Sequence, residues 1–231
     1  MPSRYTQGEY ATLNPSWHSE DSSWKALQII KMLDRHKLRP RTVCEVGCGA
    51  GEILRQLHDA LDPSISYVGY EISPQAYELC KPKATGRLRF ELKDILTEDP
   101  LHFDLVLLMD VIEHVEDCFA FLRGLKAKGE FKILHIPLDL SAQAVWRGSP
   151  LIRARDGVGH IHYFTKDLAL RLLGEVGYEI VDHVYTRGSL DLPSRTLAAR
   201  LARLPRRIAF RMDPDWAARI LGGFSLLVLA R

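Results

Sequence analysis

Three glycines, Gly47, Gly49 and Gly51, fall within five positions, directly behind the β-rich run "RTVCEV", and the last of them opens the amphipathic stretch "GEILRQLHDAL". A strand that hands over to a helix through so few residues leaves the chain little freedom. Its backbone must turn tightly without side chains, and the helix must then point its first free amides back over the carboxyl end of the strand. A unit of that kind is built to continue as strand, helix, strand.

The remainder of the chain does continue so. "ISYVGYE" reads as a strand, and "SPQAYELC" as a helix with a capping serine and a proline in its first turn. "LRFELKD" is a strand, and the unbroken apolar run "FDLVLLMD" suits a strand covered on both faces. "VEDCFAFLRGLKAKG" is a helix with a glycine stop, "EFKILHIPL" a strand, and "TKDLALRLLGEVGYEIVDHVY" a capped helix, a turn and a strand. "GGFSLLVLAR" closes the chain as a seventh strand. A helix, "DSSWKALQIIKMLDRH", precedes all of this behind Asp21, Ser22 and Ser23, which can cap it. Alternation of this sort predicts an α/β, Rossmann-like sheet, mostly parallel, with helices on both faces. In such sheets the ligand lies beyond the carboxyl ends of the strands, where strand order reverses, and the glycines sit at one of those ends.

Acidic residues recur at the same ends. Glu45 stands two places before Gly47, Glu71 ends the second strand, and Asp94 ends the third. Glu45 would oppose a pyrophosphate at close range and suits a ligand with an amino group and a sulfonium. The third glycine also comes one place too early for G-x-G-x-x-G, so a nicotinamide-dependent dehydrogenase is the weaker alternative. A non-catalytic cofactor-binding or nucleic-acid-binding module is the other.

Taken together, "VCEVGCGAGE", "VGYEIS", "LKDI" and "FDLVLLMDVIEHV" resemble the motifs of the class I S-adenosylmethionine-dependent methyltransferases, of the small-molecule type with a D-V-I-E-H fourth-strand motif. The likeness runs from about residue 40 to the C-terminus and includes the closing strand pair, which implies a seven-stranded sheet whose last strand is antiparallel. It implies S-adenosyl-L-methionine as cofactor, with Glu45, Gly47, Cys48, Gly49 and Gly51 around its methionine part. Glu71, followed by Ile72, would take the ribose hydroxyls, Asp94 and Ile95 would meet the adenine, and Asp110 would line the floor near the methyl group.

Methyl transfer from a sulfonium mainly asks the protein for positioning and sometimes for a base. His160 and His114 are the candidate bases, with His162 beside them, because an imidazole titrates near neutrality. Asp110, Glu113 and His114 resemble a Mg²⁺ group of some ubiquinone-pathway O-methyltransferases, but "EH" is equally similar to metal-free members, and no metal is assigned. The implied reaction moves a methyl group to an oxygen, less readily a nitrogen, of a small, sugar-like or anionic acceptor.

Residues 1–38 read as an N-terminal lid and helix, with Trp17, His18, Trp24 and Lys25 as an aromatic cover; 39–231 read as the catalytic domain. Insertions at about 139–162 and 186–220 form the acceptor side. The second carries Arg195, Arg200, Arg203, Arg206, Arg207 and Arg211 among leucines, a helix or helix pair broken at Pro205. Solvated face over core leucines, anion site, and membrane-surface or partner contact all stay open for it. A net charge of +2 gives no reason to expect nucleic acid. No apolar stretch approaches the ~20 residues of a membrane span, and "MPSRYTQGEY" lacks a leader's apolar core, so the expected location is the cytoplasm. Cys44, Cys48, Cys80 and Cys118 lack metal or redox spacing and are expected to be buried thiols.

Overall fold

The computed structural model describes residues 2–98, 101–193 and 197–231. Its seven strands are β1 (Thr42–Val46), β2 (Ser66–Glu71), β3 (Leu88–Leu92), β4 (Phe103–Met109), β5 (Gly129–Pro137), β6 (Ile180–Thr186) and β7 (Ser225–Ala230). They form one sheet in the order β3-β2-β1-β4-β5-β7-β6. β1 pairs in parallel with β2 and β4, and β7 runs antiparallel to both β5 and β6. The chain works outward from β1 to β3 and then restarts at β4 on the other side. The reversal therefore lies between the ends of β1 and β4, where the glycine turn and Asp110 meet.

Period-2 burial divides the apolar residues between two cores. Along β4, Val106 and Leu108 face one side while Leu105, Leu107 and Met109 face the other. The first core is closed by the helices Cys118–Lys126, Lys166–Glu175 and Pro214–Leu221, through residues such as Leu122, Leu172 and Ala217. The second is closed by Ser22–Arg35, Glu52–Ala60 and Pro74–Cys80. Leu54 and Leu57 are fully buried on this side, and burial of a leucine side chain stabilises by about 1.5–3 kcal/mol each. Ser73 caps Pro74–Cys80 by accepting from the Ala76 amide, whereas Asp21 makes no side-chain cap for Ser22–Arg35. All four cysteines are buried free thiols.

The arginine-rich segment differs from its sequence reading. It is a single helix, Leu197–Met212, that runs through Pro205. The carbonyl that Pro205 leaves without its helical amide belongs to Leu201, a residue 70% exposed, so water can serve it. Its leucines do not enter the core: Leu197, Leu201, Leu204 and Ile208 are all exposed. Arg203 and Arg206 turn inward instead, donating to the carbonyls of Ser189 and Leu221. Arg195 lies outside the described residues. The first insertion folds as two short helices, Ala142–Arg147 and Ser149–Arg153, and a wide turn, Ala154–Val158. No helix among the described residues is long and apolar enough to cross a membrane.

Candidate functional site

A cavity of about 930 Å³ opens over the carboxyl ends of β1, β2 and β4. Its floor begins with the glycine turn. Gly47, Gly49 and Gly51 all take positive φ, at 67°, 54° and 72°, a region costly to residues with a Cβ. Gly47, Cys48 and Gly49 line the cavity. Gly51 does not, contrary to the expectation that it surrounds the ligand. It lies behind the turn, against Phe90 and Cys80, and sets the path into Glu52–Ala60.

Glu45, on β1, is 1% exposed and lines the cavity, and its Oε2 has no hydrogen-bond partner. Burial is the main cause that pushes its carboxyl up to about 8. Glu71 ends β2 and is also buried, but its oxygens are busy. Oε2 accepts from the Gly49 amide at 2.7 Å, and Oε1 accepts from the Ile72 and Ser73 amides at 2.8 Å each. Three of a carboxylate's roughly four acceptor directions are thus taken. Glu71 holds the glycine turn before it grips anything else. Ile72 offers an exposed apolar surface to the cavity, Asp94 lines it while capping the next turn through the Leu96 amide, and Ile95 packs beneath.

Asp110 follows β4 with φ at +57°. One carboxyl oxygen meets Lys25 Nζ at 2.6 Å and the other His135 Nδ1 at 2.5 Å. The far nitrogen of His135 pairs with Thr186 Oγ1 at 2.8 Å. Although burial opposes it, the charges of His135 and Lys25 hold the Asp110 carboxyl far below the usual carboxylate range. Four elements are thereby tied at the floor. Lys25 was legible only as part of an aromatic cover, and His135 and Thr186 were missed. A histidine inside the apolar run of β5 was the signal.

The far wall carries the imidazoles. His114 and His160 both line the cavity, with ring centroids 4.9 Å apart. His114 Nδ1 faces the Gly159 carbonyl at 3.1 Å, and burial together with nearby His160 lowers its pKa to about 4. His160 Nδ1 faces Asp139 Oδ2 at 2.5 Å. Asp139, just beyond β5, could have been found from the strand-end rule. His162 does not join them; its Nε2 contacts the Val115 carbonyl. From above, Tyr5, Tyr10 and Trp17 make a chain of ring contacts, with centroids 5.0 Å and 4.8 Å apart. A Cβ on Gly49 would meet the Trp17 ring at 3.7 Å, an ordinary contact, so it is the positive φ and not the ring that calls for glycine there. Trp17, His18, Trp24 and Lys25 all line the cavity, whereas none of the described arginines of either insertion is among its lining residues.

Comparison with known proteins agrees with this fold. Residues 44–128 match the family model described as "Methyltransferase domain". The chain is 32% identical over 130 residues to ajmaline N-methyltransferase of Rauvolfia serpentina, 51% of this chain and 44% of that one. It is 25% identical over 120 residues to a ubiquinone biosynthesis O-methyltransferase of Nitrosospira multiformis, 47% of this chain and 49% of that one. The chain thus spans less than half the length of these relatives. Among solved structures, a magnesium protoporphyrin IX methyltransferase of Synechocystis with bound S-adenosylhomocysteine shares the fold, at TM-score 0.60 and 16% identity, covering 90% of this chain and 82% of that one.

Proposed function

We propose that this chain is an S-adenosylmethionine-dependent methyltransferase of class I fold, a reading that the methyltransferase-domain match over residues 44–128 supports, and that it methylates an oxygen of a small acceptor held beside His114 and His160. One observation carries the reading. A single cavity joins a buried carboxyl group with one orphaned oxygen, that of Glu45, to a pair of oriented imidazoles.

The residues present fit the cofactor. The glycine turn brings backbone close without side chains, and the orphaned Oε2 of Glu45 suits an ammonium or sulfonium. Ile72 offers a flat apolar contact and Asp94 an acceptor for the adenine end, while Glu71 has one acceptor direction left for a ribose hydroxyl. When bound, S-adenosylmethionine supplies an activated methyl group on a good leaving group. The chain's own part is to position and to move a proton. Asp139 holds Nδ1–H of His160, which leaves Nε2 able to take the proton of an acceptor hydroxyl. The aromatic cover over residues 5–24 acts as a lid that excludes water. With aromatic walls and no arginine lining the cavity, a neutral, hydroxyl-bearing, sugar-like acceptor is favoured over an anionic one.

Calorimetric titration with S-adenosylmethionine, S-adenosylhomocysteine and NAD tests the premise. The first two should bind in the micromolar range and NAD should stay silent; binding of NAD alone overturns the reading. The same titration tests Glu45. At pH 6 to 7 its carboxyl, at about 8, is protonated in the free protein, and the ligand's α-amino group, with pKa ~7.7–8.0, is charged. Binding should therefore release up to about one proton, read from the dependence of heat on buffer ionisation, and Glu45→Gln should abolish that release. For Glu71→Ala, loss of three amide contacts should both loosen the turn and weaken binding about 100-fold or more, roughly 3 kcal/mol. Unchanged affinity would remove Glu71 from the site.

A further inference from the structure

Two segments distant in sequence are stitched together on the imidazole wall. The Glu113 carbonyl accepts from the amides of Ile161 and His162, at 2.8 and 3.1 Å. His114 Nδ1 reaches the Gly159 carbonyl, and His162 Nε2 reaches that of Val115. The stitching gathers the side chains of Glu113, His114 and His160, with one potential ligand atom from each lying within 4.8 Å of the others.

Glu113 is the anomaly in that cluster. It is 0% exposed, and neither of its carboxyl oxygens has a hydrogen-bond partner. A carboxylate buried in this way is costly unless a cation compensates it. The charge of Lys25 is felt at Glu113, but its short contact, at 2.6 Å, is with Asp110. His114 Nε2, at 3.8 Å from Glu113 Oε1, is beyond hydrogen-bonding distance. The histidines complete the pattern. Each gives its Nδ1 to an acceptor, a backbone carbonyl for His114 and the Asp139 carboxylate for His160. That is how metal-bound histidines are oriented, with Nε2 left to the ion.

We infer that Glu113, His114 and His160 form a binding site for a divalent transition-metal ion, with its remaining coordination positions open to the cavity. Two imidazoles and one carboxylate suit Zn²⁺, Fe²⁺, Co²⁺ or Mn²⁺, whereas Mg²⁺ and Ca²⁺ prefer all-oxygen surroundings. Asp110, grouped with Glu113 and His114 by sequence spacing, is not a ligand, since Lys25 and His135 occupy it. Resting on the methyl-transfer reading, the ion would stand where the acceptor hydroxyl loses its proton, and it would occupy the Nε2 that otherwise serves as base.

The test needs no acceptor and no cofactor. The full chain is stripped with a chelator and titrated with Co²⁺, followed by its visible absorption, and with Zn²⁺ and Mg²⁺ by calorimetry. One equivalent of Co²⁺ should bind in the micromolar range or tighter, be displaced by Zn²⁺, and be indifferent to Mg²⁺. His160→Ala and Glu113→Gln should abolish the Co²⁺ bands. Asp139→Asn, which keeps an acceptor for His160 but not the charge, should weaken binding about 10–100-fold. Thermal melts of each variant report whether it folds. No Co²⁺ or Zn²⁺ binding by the wild-type chain overturns the site without needing any variant, and so does binding undiminished in folded His160→Ala. S-adenosylmethionine titrated into the same stripped protein separates the two readings, since it should bind whether or not the ion does.

Discussion

Gly51→Ala should destabilise the domain by about 2–5 kcal/mol, although a single methyl group is added. Two causes combine. With φ at +72°, a residue bearing a Cβ would sit in the left-handed region, at a cost of about 1–2 kcal/mol. The new Cβ would also lie 2.6 Å from the Phe90 ring and 2.7 Å from Cys80 Cβ. Both neighbours are buried, so neither can swing out of the way, and overpacking of that kind typically costs about 1–3 kcal/mol more. For a chain of this length the melting temperature should drop on the order of 10 °C. Gly174→Ala supplies the contrast. Gly174 lies within the helix Lys166–Glu175 with open space around its would-be Cβ, so the same substitution should stabilise by about 0.5–1 kcal/mol. Urea unfolding of the two variants checks both signs at once. A Gly51→Ala protein as stable as wild type would mean that the turn can relax into another path. The prediction separates fold from site, because Gly51 does not line the cavity: residual folded Gly51→Ala should lose cofactor affinity only as far as the turn shifts.

The glycine turn also shows how much the sequence could reveal. Strand and helix periodicity, written in residues such as Val43, Cys44, Leu54 and Leu57, is local, so the sheet and its two faces were readable. The positions of Glu45, Glu71 and Asp94 along the cavity were readable for the same reason: each stands at or beside the carboxyl end of a strand. What stayed hidden depends on which distant segments meet. Asp110 shows it well. From spacing it belongs with Glu113 and His114, three and four residues on. In the fold its left-handed φ turns it the other way, toward Lys25 of the first long helix and His135 of β5. His160 then takes its place beside Glu113 because Ile161 and His162 hydrogen-bond to the Glu113 carbonyl. The arginine-rich helix hid for a different reason. Its amphipathic period is correct, but period alone cannot say which face turns inward, and here the leucines face solvent.

Asp110→Asn carries the second large effect. The substitution preserves shape and tolerates the left-handed backbone, since asparagine enters that region readily, and so it removes only the charge. Lys25 would then keep a side chain 12% exposed without the anion it contacts at 2.6 Å. Removing one partner of such a buried pair costs about 3–5 kcal/mol, more than the pair itself contributes. Two further variants divide that figure. Asp110→Ala should cost about 1–2 kcal/mol beyond Asp110→Asn, the added backbone strain. Lys25→Met combined with Asp110→Asn should be more stable than Asp110→Asn alone, because the stranded ammonium is gone. The pH dependence follows from the direction of the shift. The Asp110 carboxyl is held below its usual range in the folded protein, so its contribution is complete above the unfolded value of about 3.9 and is lost as pH falls through the folded one. The stability gap between wild type and Asp110→Asn should therefore narrow below about pH 4. A gap under 1 kcal/mol at neutral pH would show that Lys25 finds another partner when Asp110 is neutral. Because Lys25 belongs to the helix just behind the aromatic cover, loss of this pair should also free that cover. Cofactor affinity should then fall in Asp110→Asn even where the protein remains folded, which ties the charge network at the floor to the closing of the site above it.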